Sequence, residues 1–444
     1  MVISKIPKPT ISSALAFLAI ISLASNLSAF EVNRTLDTFE KILDPLVDKN
    51  QIPGYYFSIS KDGNMVYERS KGYADIASRL IPQEDTLFSI QGFTTLFTAL
   101  TILKLADEGV IEISDPVEKY IPEFSEMTVA PNGMYDRDQE IPKTEVTLQH
   151  LLTHTSGLTR ATNVRGGVAN DVAESFRQNE IMTMTSMIES EWGGLKGQVS
   201  ALSEMPLTSH PGESFQFSVG YDVLGRVIEI ATRKPLSKAM EKLLFEPLSL
   251  KDTTFLVEPD DWWRLARMYS TKILSANLQQ RTTTFKPATV LLKNMKNFGM
   301  STEGYVSGAA GLISSARDFR LIQDLILRKG RLNGEVFISE EKMKLLLVHQ
   351  LPKSLGDAPL RTSLGPIGKN SGATAGLLVR WESEDGMYDP QKYDFYFGGG
   401  LANTVFWIDP NTGISGLFLT QILPFRFPPF ERLENLAEKR FGGT

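Results

Sequence analysis

In the stretch LFSIQGFTTLFTAL, Leu87 to Leu100, a short extended segment runs into a helix whose Leu96, Leu100 and Leu103 recur at helical spacing. A glycine, Gly92, stands where that helix should begin. Glycine in such a place either admits a close backbone approach or marks a side chain that has been lost. The sequence around it decides between the two.

Upstream, TFEKILDPLVDKNQIPG reads as a helix ending near Asn50, with Ile42, Leu43 and Leu46 on one face. YYFSIS and NMVYERS follow as strands joined by KDGN, whose Asp62-Gly63 pair is a hairpin signal. From Gly92 to about Met300 helical patterns dominate, at Thr94 to Glu108, Leu148 to Thr153, Asp222 to Thr232 and Leu236 to Leu244. Strands return in TAGLLVRWE, YDFYFGGG, NTVFWID and GISGLFLTQ, and PFERLENLAEKRF closes the chain as an amphipathic helix. This pattern predicts one sheet built from both ends of the chain, about residues 30–90 and 300–444, with a helical lobe at about 91–300.

The 444 residues are 42% apolar and 22% charged, as in a globular protein with a sizeable core. Formal charge is −6 and no run of Lys and Arg forms a nucleic-acid footprint, which leaves small molecules or peptides as the expected partners. The first residues carry Lys5 and Lys8, an apolar run centred on Ala14 to Leu23, and small residues at Ser28 and Ala29. Residues 1–29 read as a secretory signal peptide, an uncleaved N-terminal anchor being the alternative; the mature domain would be 30–444, exported to the periplasm or beyond, with no stable membrane span. The chain has no cysteine, so disulfides, thiolate metal sites and cysteine nucleophiles are excluded. His150 and His154 in HLLTH have the spacing of a zinc motif, but Leu151 replaces its glutamate and no third ligand is evident. They read as structural, and neither a metal nor another cofactor is expected.

Several stretches in order resemble the serine β-lactamase, penicillin-binding protein and esterase family, nearest its class C β-lactamase branch. They are the segment from Gly72 to Phe124, VTLQHLLTHTSGLT, HPGESFQFSVGYDVLGRVIEIATRKPLSKAMEKLLFEPLSLKDT, SGAAGLISSARDFRLIQDLIL and FGGGLANTVFWIDP. HLLTHTSGL is the most specific. The resemblance implies an α/β (α+β) fold: an antiparallel sheet flanked by helices, an all-helical lobe, and a site in the cleft between them.

That family attacks a carbonyl with a serine at a helix start and a lysine three residues on, the two sharing a helix face so that the amine reaches the hydroxyl. A tyrosine and a strand motif, usually His, Lys or Trp before glycine, complete the site. The resemblance puts Gly92 at the nucleophile, Thr95 at the lysine, Phe217 at the tyrosine and Gly398 at the strand motif. Glycine carries no nucleophile, a threonine hydroxyl is no base near neutral pH, and phenylalanine lacks the phenol hydroxyl. No catalytic residue is therefore expected.

The literal S-x-x-K matches, Ser58 with Lys61 and Ser339 with Lys342, suit a strand and a helix N-cap. Ser89 and Thr94 have no lysine one turn away. Backbone N–H groups of Gly92, Gly399, Gly400 and Leu401 remain as candidates to bind a carbonyl or carboxylate oxygen. Phe93, Phe217 and Phe397 are the candidates to fill a vestigial cleft. The expectation is an exported, catalytically inactive homologue that binds a ligand, against an active hydrolase or acyltransferase with a rearranged site, such as a water held by Gly92 and Thr95.

Overall fold

A left-handed pair, Asp62 (φ 50°) and Gly63 (φ 81°), turns β1 (Gly54–Lys61) back into β2 (Asn64–Gly72), the backbone that a tight two-residue hairpin requires at both central positions. The computed structural model describes residues 39–130, 139–160, 194–273, 283–287, 306–355, 371–380, 395–423 and 430–443. The segment read as a signal peptide lies outside them.

Along the chain, α1 (residues 39–48) precedes the hairpin. β3 (Phe88–Ser89) leads through a tight 3-10 turn, Gln91–Phe93, into α2 (Thr94–Asp107). The helical lobe holds α3 (Leu148–Leu152), α4 (Gly194–Ser203), α5 (Gly220–Thr232) and α6 (Leu236–Met240). Beyond it come β4 (Tyr269–Ile273), β5 (Thr283–Pro287) and β6 (Ile313–Ser314). Next are α7 (Ala316–Leu327), the short hairpin β7 (Arg331–Leu332) and β8 (Glu335–Val336), and α8 (Glu340–Leu347). The last third supplies β9 (Ser371–Ala373), β10 (Leu378–Arg380), β11 (Phe395–Gly400), β12 (Thr404–Asp409), β13 (Ile414–Leu419), β14 (Ile422–Leu423) and α9 (Phe430–Phe441).

Seven strands form one antiparallel sheet in the order β2-β1-β13-β12-β11-β10-β9, so both ends of the chain meet at its centre. β1, β12 and β13 are buried almost throughout because helices cover both faces. On one face Phe39 and Leu43 of α1 and Leu433 and Ala437 of α9 pack with Phe57, Trp407 and Phe418. On the other, Phe93 just before α2 and Phe319 of α7 pack against Phe406, and Phe97 of α2 packs against Phe319. α2 is apolar nearly all round and runs through the core, as a helix without a polar face must.

Two expectations change. The region read as a helical lobe also contains the antiparallel pair β4–β5, which β14 joins in parallel to make a separate three-stranded sheet. These strands are too short for periodicity to betray them. The strand read in TAGLLVRWE shrinks to Leu378–Arg380 within the described residues, because Gly376 at φ 106° and a Thr374–Leu377 turn interrupt it.

Candidate functional site

Gly92 sits in the 3-10 turn just before α2, with β11 passing directly over it. An added Cβ on Gly92 would stand 2.9 Å from the Gly399 carbonyl oxygen and 3.8 Å from the Gly400 Cα. One on Gly400 would meet the Thr404 hydroxyl oxygen at 2.2 Å and the Ile90 carbonyl oxygen at 2.9 Å. The glycines at both places allow strand and helix start to nest, backbone on backbone. Gly92, Gly399 and Gly400 thus lie together, while Leu401 lies at the strand end, half exposed.

Thr95 turns back: its hydroxyl donates to the Gly92 carbonyl oxygen at 2.8 Å. Phe217 packs with Phe215, Leu351 and Leu355, its ring edge-on to His154 at 5.1 Å and the Arg160 guanidinium 5.8 Å above it. The ring thus sits against His154 and Phe215, on the lobe side. The place opened by Gly398 is taken by Phe406, whose ring carbon would lie 2.5 Å from an added Cβ. Phe406 stacks in turn edge-on against Phe93 at 4.8 Å. Sequence reasoning missed Phe406; the signal available was its position on the strand paired with the glycine run. Phe397 faces the opposite layer, among Phe57 and Trp407, and so fills no cleft, while Phe93 is core.

The position before Gly92 is a second feature without a sequence signal. Gln91 is fully buried at φ 47°, a left-handed backbone that costs a residue with a side chain on the order of 1 kcal/mol or more. Its Nε2 donates to the Ser89 hydroxyl at 2.7 Å, and Gln421 brackets Ser89 by accepting from its N–H and donating to its carbonyl. A buried amide network therefore fixes the helix start from behind.

The other candidate hydroxyls are buried or cap a helix. Ser89 accepts from Gln91, and Thr94 accepts from the Leu312 N–H at 3.1 Å. Ser58 is buried in β1, and Lys61 donates to the Thr412 carbonyl. Ser339 caps α8 by accepting from the Lys342 N–H. The two histidines are structural: His150 forms a reciprocal cap with Thr147, and burial among Phe215, Phe217 and Tyr221 holds His154 neutral by pushing its pKa down to about 3. Among the described residues no group of three metal-binding side chains exists.

Behind the site, Asp222 of α5 pins the 307–312 turn, accepting from the Ser307 hydroxyl at 2.6 Å and the Ala309 N–H at 3.3 Å. Burial raises its pKa to about 6 against those hydrogen bonds.

Residues 39–439 match the Beta-lactamase family profile. Similar proteins include Protein Rv1367c of Mycobacterium tuberculosis, 26% identical over 81% of this chain and 85% of that protein. Esterase EstB of Burkholderia gladioli is 26% identical over 89% and 92%. In structure the chain is similar to simvastatin synthase (LovD) from Aspergillus terreus, with a TM-score of 0.72 at 21% identity over 92% of this chain and 98% of that one. The chain belongs to the Beta-lactamase family, and its sheet and helices have the β-lactamase/transpeptidase fold of the serine hydrolases, esterases and acyltransferases.

Proposed function

We propose that this chain is an exported member of the family that has given up covalent catalysis and acts by holding a ligand or partner at the remaining cleft. One observation carries the reading: the place of a nucleophile's side chain at residue 92 is closed by the Gly399 carbonyl oxygen, 2.9 Å from where the Cβ would be. Three more support it, namely the Thr95 hydroxyl spent on the Gly92 carbonyl, the missing phenol oxygen at Phe217 and the Phe406 ring beneath Gly398. Where catalytic groups act as a unit, loss of the nucleophile alone costs about 10⁶-fold in turnover. Binding through backbone N–H groups survives such losses. Candidate ligands are small esters, by likeness to a relative named as an esterase, and β-lactam-like amides or peptidoglycan-like peptides, by fold; another envelope protein is the macromolecular candidate.

The test is intact mass after incubation with a fluorophosphonate and with a penicillin. The expected result is the unmodified mass with both reagents. An adduct of either would mean that a nucleophile works in this cleft, and the active, rearranged reading would replace this one.

A further inference from the structure

Two consecutive tryptophans lie in the open on the 3-10 turn Pro259–Arg264. Trp263 is 68% exposed and Trp262 37%, large apolar faces of the kind that globular surfaces rarely leave to water without use. Trp262 is oriented by its indole N–H, which donates to the Val257 carbonyl at 3.0 Å. The turn is held from beneath by Arg264, which donates to the Asp85 carbonyl at 2.7 Å, to Asp252 at 2.7 Å and to Asp261 at 3.0 Å. Asp252 is itself clamped by Arg317 at 2.6 Å. The indoles therefore stand on a rigid frame, so a partner would not have to order them on binding.

The charge around them selects the partner. Glu258 and Asp260 precede the pair on the same segment, are exposed, and make no ion pair among the described residues, whereas Asp261 is committed to Arg264. Glu258 also contributes to the field that raises the pKa of Lys238, which is already paired with Glu241 at 2.7 Å. Indole faces on a turn that also carries two exposed carboxylates outside any ion pair attract a cation and repel an anionic lipid surface.

We propose that the turn bearing Trp262 and Trp263 is a docking surface for a lysine- or arginine-bearing segment of another protein, the cationic side chain lying over an indole and facing Glu258 and Asp260. The site is separate from the cleft and stands whether or not the cleft binds anything. The main chain nevertheless links the two: Leu87 N–H donates to the Arg264 carbonyl at 2.9 Å, five residues ahead of Gly92.

The experiment uses the full chain with a lysine–glycine repeat peptide, its glutamate–glycine counterpart, and phosphatidylglycerol vesicles, read by tryptophan emission and calorimetry. The lysine peptide alone should bind. Trp263→Ala should weaken it about fivefold at unchanged charge, with Trp263→Phe weakening it less. Glu258→Gln with Asp260→Asn should weaken it as well, while Glu123→Gln, an exposed acid elsewhere, should not. Should Trp263→Ala unfold the protein, the acid pair and the phenylalanine variant read the same surface. The proposal is overturned if no peptide binds, if Trp263→Ala and the acid pair bind as the parent does, or if vesicles bind through Trp263 in place of the peptide.

Discussion

The carbonyl oxygen of Gly399 occupies the space into which a side chain on Gly92 would project, 2.9 Å from its Cβ. Gly92 is thus a requirement of the present packing. A serine at this position would fit only if the strand withdrew.

Restoring the side chains alone should therefore fail. The triple variant Gly92→Ser, Thr95→Lys, Phe217→Tyr is expected to hydrolyse p-nitrophenyl acetate no faster than the parent. Gly92→Ser by itself should lower unfolding free energy by about 1–3 kcal/mol through overpacking. Turnover clearly above the parent rate in the triple variant would show that the backbone yields and that only side chains were wanting.

Gly398 and Phe406 should behave as one unit. Gly398→Ala forces a methyl to within 2.5 Å of the Phe406 ring and is expected to cost about 1–3 kcal/mol. Phe406→Ala opens a cavity costing about 3–5 kcal/mol. Combined, the two should cost less than their sum by at least about 0.5 kcal/mol in urea titrations. Strict additivity would mean the ring does not fill the space under Gly398.

Asp222 should leave a pH signature. Its carboxyl titrates near 3.8 when unfolded and, raised by burial, at about 6 when folded. Between those values the folded state holds the proton more tightly, so this contribution to stability is complete below the unfolded pKa and is lost as pH rises through about 6. The loss is on the order of 3 kcal/mol for a shift of this size. Asp222→Asn, which keeps an acceptor for Ser307, should remove that slope. A parent-minus-variant difference flat from pH 4 to pH 7, measured by urea unfolding, would contradict it.

Ser339 tests the literal S-x-x-K pattern. Ser339→Ala removes the cap that accepts the Lys342 N–H and should cost about 1 kcal/mol in thermal or urea unfolding. The same variant should leave the fluorophosphonate mass result unchanged. Labelling of the parent that disappears in the variant would make Ser339 a nucleophile.

The fold was legible where chemistry imposes a strict pattern: the Asp62-Gly63 turn, α2 from the spacing of Leu96, Leu100 and Leu103, the N-cap at Ser339, and the strands at both chain ends. That Gly92, Thr95, Phe217 and Gly398 lack the functional groups of the family's motif was also legible, because side-chain chemistry is read directly from the sequence. What escaped depends on neighbours distant along the chain. Phe406 carries no local sign that its ring lies under Gly398, Gln91 gives no warning of a left-handed backbone, and β4 and β5 are defined only by pairing with each other and with β14. Phe397 was misassigned to the cleft because a glycine-rich strand offers little alternation from which to tell its two faces apart.

The order of strands also sets a timetable. Gly54 at the start of β1 accepts a hydrogen bond from Thr420, a separation of 366 residues, and β1 pairs with β13 along six residues. Such distant pairing slows assembly, since loop closure must precede the contacts that reward it. Until the ribosome has delivered Ile414–Leu419, β1 is left with a bare edge, open to chaperones or to the same strand of a second nascent chain.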